Sequence, residues 1–535
     1  FFSMLFIDTG PVMQPPSLNL GGYYRGSTDQ ISRFFTADRL RAELTRNQRH
    51  LCLVMVGLPG RGKSFISRKL EVFMKWKDGG HAVKVFNVGK YRRNIGDTGD
   101  ANFFDPDNAS AMGQRQQAAD AAMDDMLNFF EEGGEVGIFD ATNSTRSRRQ
   151  WILEKAHGRG IAVVFIESIC DDPEVLEENF LNKIKHSPDF ANMDLGTAMA
   201  DLRDRIHNYE KVYETIDDNH LTYIKLFNLQ SKVMCNRAYG RLTKSLLPFL
   251  TSIHIAPRPI WLCRSGLPVG DQKDEDHNPF AECKVSPLSE EGEQFAIALA
   301  DFIRCRMVAY VQSIESANPA VHEDGHALEK CVRRSDGQIC DTACAKVMAS
   351  TLPRSFDTCK HFASAAEIEI ELYSQLNPID KGIYEGKSLK EISQENPQFY
   401  QEFEENRLHT RFPGGESFCD LVGRLEPCLV EAEQQTAPVL ICSHTTVLQV
   451  LYAYYRQVPI EQAMRIKIEP HTVYELSPLM GGMWNVAVYK LNTDKPGRPF
   501  LQEVASPPSP TGMGNFVFSA ESLPVTPVQI PGVHV

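Results

Sequence analysis

The segment GLPGRGKS, residues 57–64, has the residue types and spacing of a phosphate-binding loop. It fits the pattern GxxxxGK[ST], follows the apolar run LCLVMV directly and opens the amphipathic stretch SFISRKLEVFMKW. Glycines in such a loop let backbone N–H groups turn towards a triphosphate, and the N-terminus of the next helix faces the same anion. A chance glycine-rich turn would not require the strand before it and the helix after it. The predicted nucleotide-binding residues are Gly57, Leu58, Pro59, Gly60, Arg61, Gly62, Lys63 and Ser64.

Three side chains supply the chemistry that this loop predicts. Lys63 would place a positive charge on the β- and γ-phosphates of ATP, and the Ser64 hydroxyl would be a ligand of Mg²⁺. Asp140 ends the apolar run of EVGIFDATNSTRSRR, where a P-loop protein is expected to have an acid near the metal. A strand-end Asp is more often a helix cap or a turn residue. Beside a P-loop we expect Asp140 instead to bind Mg²⁺ or to accept the proton of a substrate hydroxyl.

Arginines follow the ends of the predicted strands and indicate a phosphorylated acceptor. Exposed arginines are usually solvated surface, but these lie where the loops of a parallel sheet bind ligands. Guanidinium groups in such places suit bidentate contacts to a small phosphate ester. The arginines are Arg92, Arg93, Arg115, Arg146, Arg148 and Arg149.

Two series of strands and helices would hold these residues. From Leu51 to about Leu250, β-branched runs alternate with amphipathic stretches, which predicts a mainly parallel sheet with helices on both faces. A second series begins at PIWLCRSG and continues through KVMAS, PVLICSH and HTVYELSP. The predicted domains are 1–47, a flexible N-terminal segment; 48–252, a P-loop domain; 257–493, a second α/β domain with an insertion near 307–346; and 494–535, a disordered Ser/Pro-rich tail.

The predicted insertion and tail carry two further features. His322, His326, Cys331, Cys340 and Cys344 lie in the insertion, but their spacing fits no common zinc pattern, so we expect an ordinary surface loop. The Ser-Pro and Thr-Pro sites of the tail are candidate targets of regulatory protein kinases.

Composition narrows the possible partners. The net charge of −13 disfavours nucleic acid, since a phosphate backbone demands a basic surface. The chain contains no run of eighteen or more apolar residues, so we expect no membrane span. The thirteen cysteines are scattered, many in apolar runs, which indicates reduced thiols and a cytoplasmic location.

The order of motifs also carries a family resemblance. GLPGRGKS, VFNVGKYRR, FFDPDN, IFDATNSTRSRR, FIESICDDP and KHSPDF succeed one another, and the chain resembles the 6-phosphofructo-2-kinase/fructose-2,6-bisphosphatase family over about residues 50–490. The resemblance implies an N-terminal P-loop kinase domain followed by an α/β histidine-phosphatase-like domain of the phosphoglycerate-mutase type. It also implies a homodimer and transfer of the ATP γ-phosphoryl group to the 2-hydroxyl of fructose 6-phosphate. The residues that the resemblance assigns to the kinase site are Asp140, Lys63 and Cys170 for catalysis, and Arg92, Arg115, Thr142, Arg148 and Arg237 for the sugar phosphate.

Two positions depart from the kinase pattern of the family. A family Lys four residues before the Pro of the SPDF motif is Ile184 here, with Lys183 and Lys185 on either side. A family Tyr after the Asn-Arg pair is Arg241. A contact to the transferring phosphate is worth several kcal/mol. These two changes therefore affect the expected rate of phosphoryl transfer.

The second half resembles a phosphatase that lacks its nucleophile, as in a fungal-type member of the family. In CRSG, Ser265 stands where the family has the His that becomes phosphorylated. An alcohol is a poor neutral-pH substitute for imidazole unless a base activates it, and His444 is a conceivable base. Further family positions are changed at Leu267, Asp271, Gly414, Thr445 and Gln449. The remaining family positions of this degenerate site are Arg264, Arg354, Glu385, Arg411 and His444.

We therefore expect an Mg-ATP-dependent 6-phosphofructo-2-kinase without bisphosphatase activity. Two alternatives stay open. One is a bifunctional enzyme with weak bisphosphatase activity, and the other is a non-catalytic regulator that binds a nucleotide or a sugar phosphate.

Overall fold

The computed structural model describes residues 50–95, 100–228, 232–254, 258–269, 286–317, 345–366, 368–479, 481–493 and 500–502. The predicted N-terminal segment, Asp271, the histidines and cysteines of the insertion, and nearly all of the predicted tail lie outside the described residues. Within the described ranges, no helix is both long enough and apolar enough to cross a membrane.

A six-stranded sheet forms the core of the first domain, in the order β2-β3-β1-β4-β5-β6. All neighbours are parallel except β5 and β6, which are antiparallel. The central strand LCLVMV is buried at every residue because helices cover both faces of the sheet. The strands are β1 Leu51–Val56, β2 Val83–Asn87, β3 Val136–Asp140, β4 Ala162–Ile169, β5 Tyr223–Phe227 and β6 Lys232–Asn236.

A seven-stranded mixed sheet forms the second domain, in the order β13-β12-β11-β7-β10-β8-β9. β7, β10, β8 and β9 are mutually parallel, and β11 to β13 extend the sheet antiparallel. The two α/β sheets confirm the predicted fold class. The strands are β7 Ile260–Arg264, β8 Lys346–Ser350, β9 Ile370–Tyr373, β10 Val439–Ser443, β11 Thr472–Leu479, β12 Met483–Lys490 and β13 Phe500–Gln502.

Thirteen α-helices pack on these sheets in the described part of the chain. The helices of the first domain are α1 Lys63–Trp76, α2 Val88–Ile95, α3 Ala109–Glu131, α4 Arg146–His157, α5 Pro173–His186, α6 Leu195–Glu210 and α7 Arg241–Ser252. The helices of the second domain are α8 Glu290–Ala317, α9 Pro353–Ala366, α10 Leu389–Glu395, α11 Pro397–Glu405, α12 Phe418–Gln434 and α13 Thr445–Arg456.

The structure corrects the start of the predicted insertion. Helix α8 continues past residue 307 to Ala317, because Met307 and Val311 extend its buried face and are 1% and 2% exposed. Residues 318–344 lie outside the described part of the chain.

The two domains share one hydrophobic core. Its buried residues come from α1 and α7 in the first domain and from α12 and α13 in the second. The α1–α7 packing is close, since the rings of Phe73 and Phe249 stack with centroids 4.0 Å apart. Helix α1, which follows the P-loop, therefore lies between its own sheet and the second domain.

Candidate active site

The P-loop follows β1 and needs glycine where the backbone is most crowded. At Gly57, whose φ is 138°, a Cβ would lie 2.5 Å from the backbone oxygen of Ser168 on β4. At Gly60, whose φ is 76°, a Cβ would lie 2.6 Å from the ring of Phe180 on α5. Neither position has room for a side chain, and both conformations are ones that other residues rarely adopt. The sequence pattern thus corresponds to a loop held between β4 and α5.

Lys63 and Ser64 begin α1, directly after this loop. The Lys63 ammonium group donates to the carbonyl oxygen of Leu58 at 2.7 Å and is nearly buried. The pKa of Lys63 is lowered to about 7, mainly by burial and also by the nearby charge of Lys183, while Asp140 acts in the opposite sense. A buried amine held next to a second amine is a position that an added anion would stabilise.

Asp140 ends β3 beside the start of α1, where two donors hold its carboxylate. The Ser64 hydroxyl donates to Asp140 Oδ2 at 2.8 Å, and Asn87 Nδ2 donates to the same oxygen at 2.6 Å. Asn87 reaches it because Asn87 and Asp140 are register partners on the neighbouring strands β2 and β3. Asp140 is 4% exposed. A hydroxyl and a carboxylate at this distance are the hard oxygen ligands that Mg²⁺ prefers.

The structure places a lysine at the site despite the departure at Ile184. Ile184 faces α6 in an apolar cluster with Phe180 and Leu202, whereas Lys183 lines the cavity in front of the P-loop. Burial lowers the pKa of Lys183, while the charges of Asp189 and Asp140 act in the opposite sense. Because α5 continues to His186, successive side chains point in different directions around the helix. Lys183 lines the cavity and is near enough to Asp140 for their charges to interact.

Arginines meet a single carboxylate on the far side of this cavity. Arg92 donates to Asp189, as do Arg93 at 3.2 Å and Arg205 at 3.0 Å. Burial alone would raise the pKa of Asp189, but these guanidinium groups, led by Arg92, hold it below its usual value. Arg205 also pairs with Asp201 at 2.5 Å, so three cations against two carboxylates leave a net positive charge of one. This cluster can therefore attract a further anionic group.

Arg115 and Arg148 add a second basic pair with neutral partners. Arg115 donates to the carbonyl oxygens of Phe104 and Asp105 at 3.1 and 3.2 Å. Arg148 donates to the Gln116 side chain at 2.7 Å. Burial is the main reason that the pKa of Arg148 is lowered, and the Arg115 charge lowers it further. Both arginines line the same cavity as Arg92, Thr142 and Lys63.

The cavity is ≈ 2650 Å³, which exceeds the volume of a typical single small-molecule site. It continues from the P-loop past the arginines and into the groove between the two domains. The sequence-predicted residues that line it are Pro59, Gly60, Gly62, Lys63, Ser64, Arg92, Arg93, Arg115, Asp140, Thr142 and Arg148.

The residues of the predicted degenerate site lie at the ends of β7, β8 and β10. His444 is fully buried, with Nδ1 2.9 Å from Arg354 Nη2 and Nε2 2.8 Å from the Ser350 hydroxyl. Since a guanidinium group can only donate, Nδ1 is the acceptor, and a neutral ring carries its proton on Nε2. Both ring nitrogens of His444 are thus engaged within the domain.

Arg264 and Ser265 lie next to His444 at the end of β7. Both are 6% exposed, and the Ser265 backbone N–H donates to the carbonyl of Ser443 at 2.8 Å. Arg354 is 1% exposed. Two buried arginines, Arg264 and Arg354, therefore remain in this part of the second domain.

Other residues of the degenerate site are directed elsewhere. Arg411 is exposed and pairs with Asp420 at 2.5 Å, and Glu385 is exposed at the surface. Gln449 donates to the carbonyl of Ile466 at 2.8 Å, and Gly414 has a φ of 73°.

Comparison with known proteins identifies the family. A family model described as 6-phosphofructo-2-kinase matches residues 40–257, and one described as histidine phosphatase superfamily (branch 1) matches residues 328–491. The 6-phosphofructo-2-kinase/fructose-2,6-bisphosphatase 1 of Rattus norvegicus is 35% identical over 454 residues, covering 83% of this chain and 86% of the rat protein. The chain belongs to the 6-phosphofructo-2-kinase/fructose-2,6-bisphosphatase family.

Two further relatives show how far the match extends. The Homo sapiens 6-phosphofructo-2-kinase/fructose-2,6-bisphosphatase 1 is 35% identical over 444 residues, which cover 82% of this chain and 84% of that protein. The Arabidopsis thaliana 6-phosphofructo-2-kinase/fructose-2,6-bisphosphatase is 34% identical over 444 residues, 82% of this chain. The chain spans only 54% of the length of that plant protein.

Several residues that the sequence analysis singled out do not line the cavity. Cys170 follows β4 and is 8% exposed, and burial raises the pKa of its thiol, so the thiol stays protonated near neutral pH. Arg237 follows β6 with a φ of 51° and donates to the carbonyl of His220 at 3.4 Å. Arg61 donates to the carbonyl of Pro59 at 3.0 Å, within the P-loop itself. Arg241 pairs with Asp78 at 2.8 Å.

Other residues of the kinase site were missed by sequence reasoning. Asn87 and Asp189 lie in the quoted motifs VFNVGKYRR and KHSPDF, so a strand-end or motif argument could have found them. Arg205, on α6, carries no local signal. The Asn179 side-chain nitrogen is buried, finds no acceptor among the described residues and lines the cavity on α5. We consider it a candidate donor to the nucleotide.

Proposed function

We propose that this chain is a 6-phosphofructo-2-kinase that transfers the γ-phosphoryl group of ATP to the 2-hydroxyl of fructose 6-phosphate and has lost fructose-2,6-bisphosphatase activity. The observation that carries the proposal is the arrangement of one cavity. It joins a P-loop, the oriented carboxylate of Asp140 and two basic clusters, which suit a triphosphate and a sugar phosphate.

In this proposal the nucleotide phosphates bind along the P-loop and the N-terminus of α1, and the sugar phosphate binds the arginines. Asp140 accepts the proton of the 2-hydroxyl while that oxygen attacks the γ-phosphorus. The bond from the γ-phosphorus to the bridging oxygen breaks, and ADP leaves with its electron pair. Lys63 and Lys183 offset the negative charge on the transferring group.

The Ser64 hydroxyl and the Asp140 carboxylate would hold Mg²⁺. When bound, the metal ion neutralises charge on the β- and γ-phosphates of ATP. The hydrogen bonds from Ser64 and Asn87 both engage Oδ2 of Asp140. They fix the direction of the carboxylate and leave Oδ1 outside this pair of bonds.

The surroundings of His444 support the loss of bisphosphatase activity. A base that activates Ser265 would need a ring nitrogen able to accept the Ser265 proton. Nδ1 of His444 already accepts from Arg354, and Nε2 faces the Ser350 hydroxyl. The bifunctional alternative therefore requires His444 to exchange one of these partners. The regulator alternative is weakened because Lys183, next to the departure at Ile184, lines the same cavity as the P-loop.

We also propose a homodimer in the cytoplasm. Among the described residues β6 is an edge of the first sheet, and Lys232, Met234 and Cys235 on it are exposed, which suits pairing with a second chain. The nine cysteines in the described residues are all free thiols, as expected in a reducing compartment.

The test of the kinase is direct product formation. Purified protein incubated with Mg-ATP and fructose 6-phosphate is expected to form fructose 2,6-bisphosphate, and Lys63→Met is expected to abolish it. Product formation that Lys63→Met leaves unchanged would mean that the P-loop is not the nucleotide site.

ATP binding is expected to take up a proton above neutral pH. The pKa of Lys63 is about 7 without nucleotide, and phosphates favour the ammonium form, so binding raises it. Lys63 is then largely neutral at pH 8 before ATP binds and protonated afterwards, and linkage requires uptake of up to about one proton. Calorimetry in two buffers of different ionisation enthalpy measures it. The affinity is expected to fall as pH rises from 7 to 9, and a rising affinity would contradict the assignment.

A further inference from the structure

A set of contacts joins helix α1 to the second domain, and we call this set the helix clamp. Lys69 Nζ lies 3.1 Å from Glu433 Oε2 on α12, and the two side chains are 7% and 5% exposed. Trp76 Nε1 donates to the carbonyl of Val450 on α13 at 3.1 Å. Arg68 Nη1 donates to the carbonyl of Gly481 at 3.4 Å. The clamp therefore joins α1 to three separate elements of the phosphatase-like domain.

The β11–β12 turn brings the clamp close to the nucleotide site. At Gly482, whose φ is 83°, a Cβ would lie 3.4 Å from Lys69 Cγ and 3.6 Å from Phe65 Cδ2. Phe65 directly follows Ser64, the proposed Mg²⁺ ligand. The backbone of the second domain thus packs on the first turn of the helix whose N-terminus carries Lys63 and Ser64.

Glu433 is itself held firmly at the end of α12. The buried Arg258 guanidinium group donates to the backbone carbonyls of Ala432, Glu433 and Gln435. A cation is favourable there because the carbonyl groups at a helix C-terminus carry partial negative charge. Lys69 also lies 5.0 Å above the ring of Trp484 on β12. Arg258 thus holds the helix end that carries Glu433, and the Trp484 ring contacts Lys69. Loss of Glu433 would leave Lys69 buried without its counter-charge.

We propose that the phosphatase-like domain positions the P-loop helix through this clamp, with Lys69 and Glu433 as positioning residues for ATP. Helix α1 is a rigid element of 14 residues, so a shift of its outer face moves Lys63 and Ser64 with it. Small misplacements of reacting groups lower rates strongly. This gives the second domain a role that requires no phosphatase activity. The inference rests on the proposed kinase function.

The test compares ATP with fructose 6-phosphate in the full chain carrying Glu433→Gln. We expect the KM for ATP, and the Kd for the non-hydrolysable analogue AMP-PNP measured by calorimetry, to rise at least about fivefold. The KM for fructose 6-phosphate is expected to stay within about twofold, because Arg92, Arg115 and Arg148 lie on α2, α3 and α4 rather than on α1.

Two variants separate positioning from stability. The double variant Lys69→Met with Glu433→Leu removes the Lys69 charge together with its counter-charge and is expected to recover most of the ATP affinity that Glu433→Gln loses. Arg258, the other buried cation near Glu433, keeps its hydrogen bonds to the backbone carbonyls of α12 in this variant. Glu431→Gln, two residues from Glu433 on α12, breaks a pair with Lys346 inside the second domain and is expected to leave ATP affinity unchanged.

Other results would overturn the inference. Glu433→Gln with unchanged AMP-PNP affinity and only a lower Tm would make the clamp a docking contact alone. An equal rise in both KM values would also contradict it. If the wild-type chain forms no fructose 2,6-bisphosphate, the proposed function fails, while the AMP-PNP comparison still tests the clamp.

Discussion

Replacement of Asp140 by Asn is expected to lower kcat for fructose 2,6-bisphosphate formation by about a thousandfold, within the range found for loss of a general base. The carboxylate lies at the end of β3 with Ser64 and Asn87 donating to it. An amide of the same shape keeps the packing but accepts a proton poorly. The KM for fructose 6-phosphate is expected to change little, because the arginines hold that substrate. Initial rates at saturating ATP and Mg²⁺ measure the effect.

Asp301→Asn is the matched control for this variant. Asp301 forms an exposed pair with Arg304 on α8, in the second domain, and its loss is expected to leave kcat unchanged. A kcat for Asp140→Asn within about threefold of the wild type would exclude Asp140 as the base, since a general base contributes far more than that.

Replacement of Lys183 by Met is expected to lower kcat by about a hundredfold or more, the usual effect of removing one charged contact from a transition state. Lys183 lines the cavity, and its charge acts on both Asp140 and Lys63. Methionine keeps most of the length and apolar character of the side chain, so the change removes chiefly the charge. Rates at saturating concentrations of both substrates report on the chemical step.

The neighbouring lysine provides the control for that variant. Lys185 is exposed on the same helix, and Lys185→Met is expected to leave kcat within about twofold of the wild type, as for most surface substitutions. A larger loss of kcat from Lys185→Met than from Lys183→Met would show that Lys185, and not Lys183, faces the cavity in solution.

The elements that sequence patterns predicted well are those with strong local signals. The run LCLVMV is β1, and GLPGRGKS is the loop between β1 and α1, because hydrophobic runs and glycine spacing are local properties. The insertion was placed too early, since the apolar face of α8 continues to Val311 while polar residues interrupt it. Local patterns therefore gave the type of each element better than its end.

In the candidate site, too, residues with a local sequence signal were predicted, and residues placed by long-range packing were not. Asp140 and the arginines after strand ends could be grouped in advance, since the carboxyl ends of parallel strands meet at one edge. Lys183 could not be distinguished from Lys185, because that requires the rotational phase of α5. Arg205 reaches Asp189 from α6, a long-range contact that no short motif encodes. The clamp between Lys69 and Glu433 depends on how two domains pack, which a sequence pattern does not contain.

One preparation assayed in both directions tests the central claim most directly. Half is incubated with Mg-ATP and fructose 6-phosphate, and half with fructose 2-[³²P],6-bisphosphate. Heat-inactivated protein gives the background. We expect formation of fructose 2,6-bisphosphate in the first half, and neither labelled phosphate nor labelled protein in the second. Labelled phosphate or a labelled chain would contradict the loss of bisphosphatase activity, and absence of product in the first half would contradict the kinase.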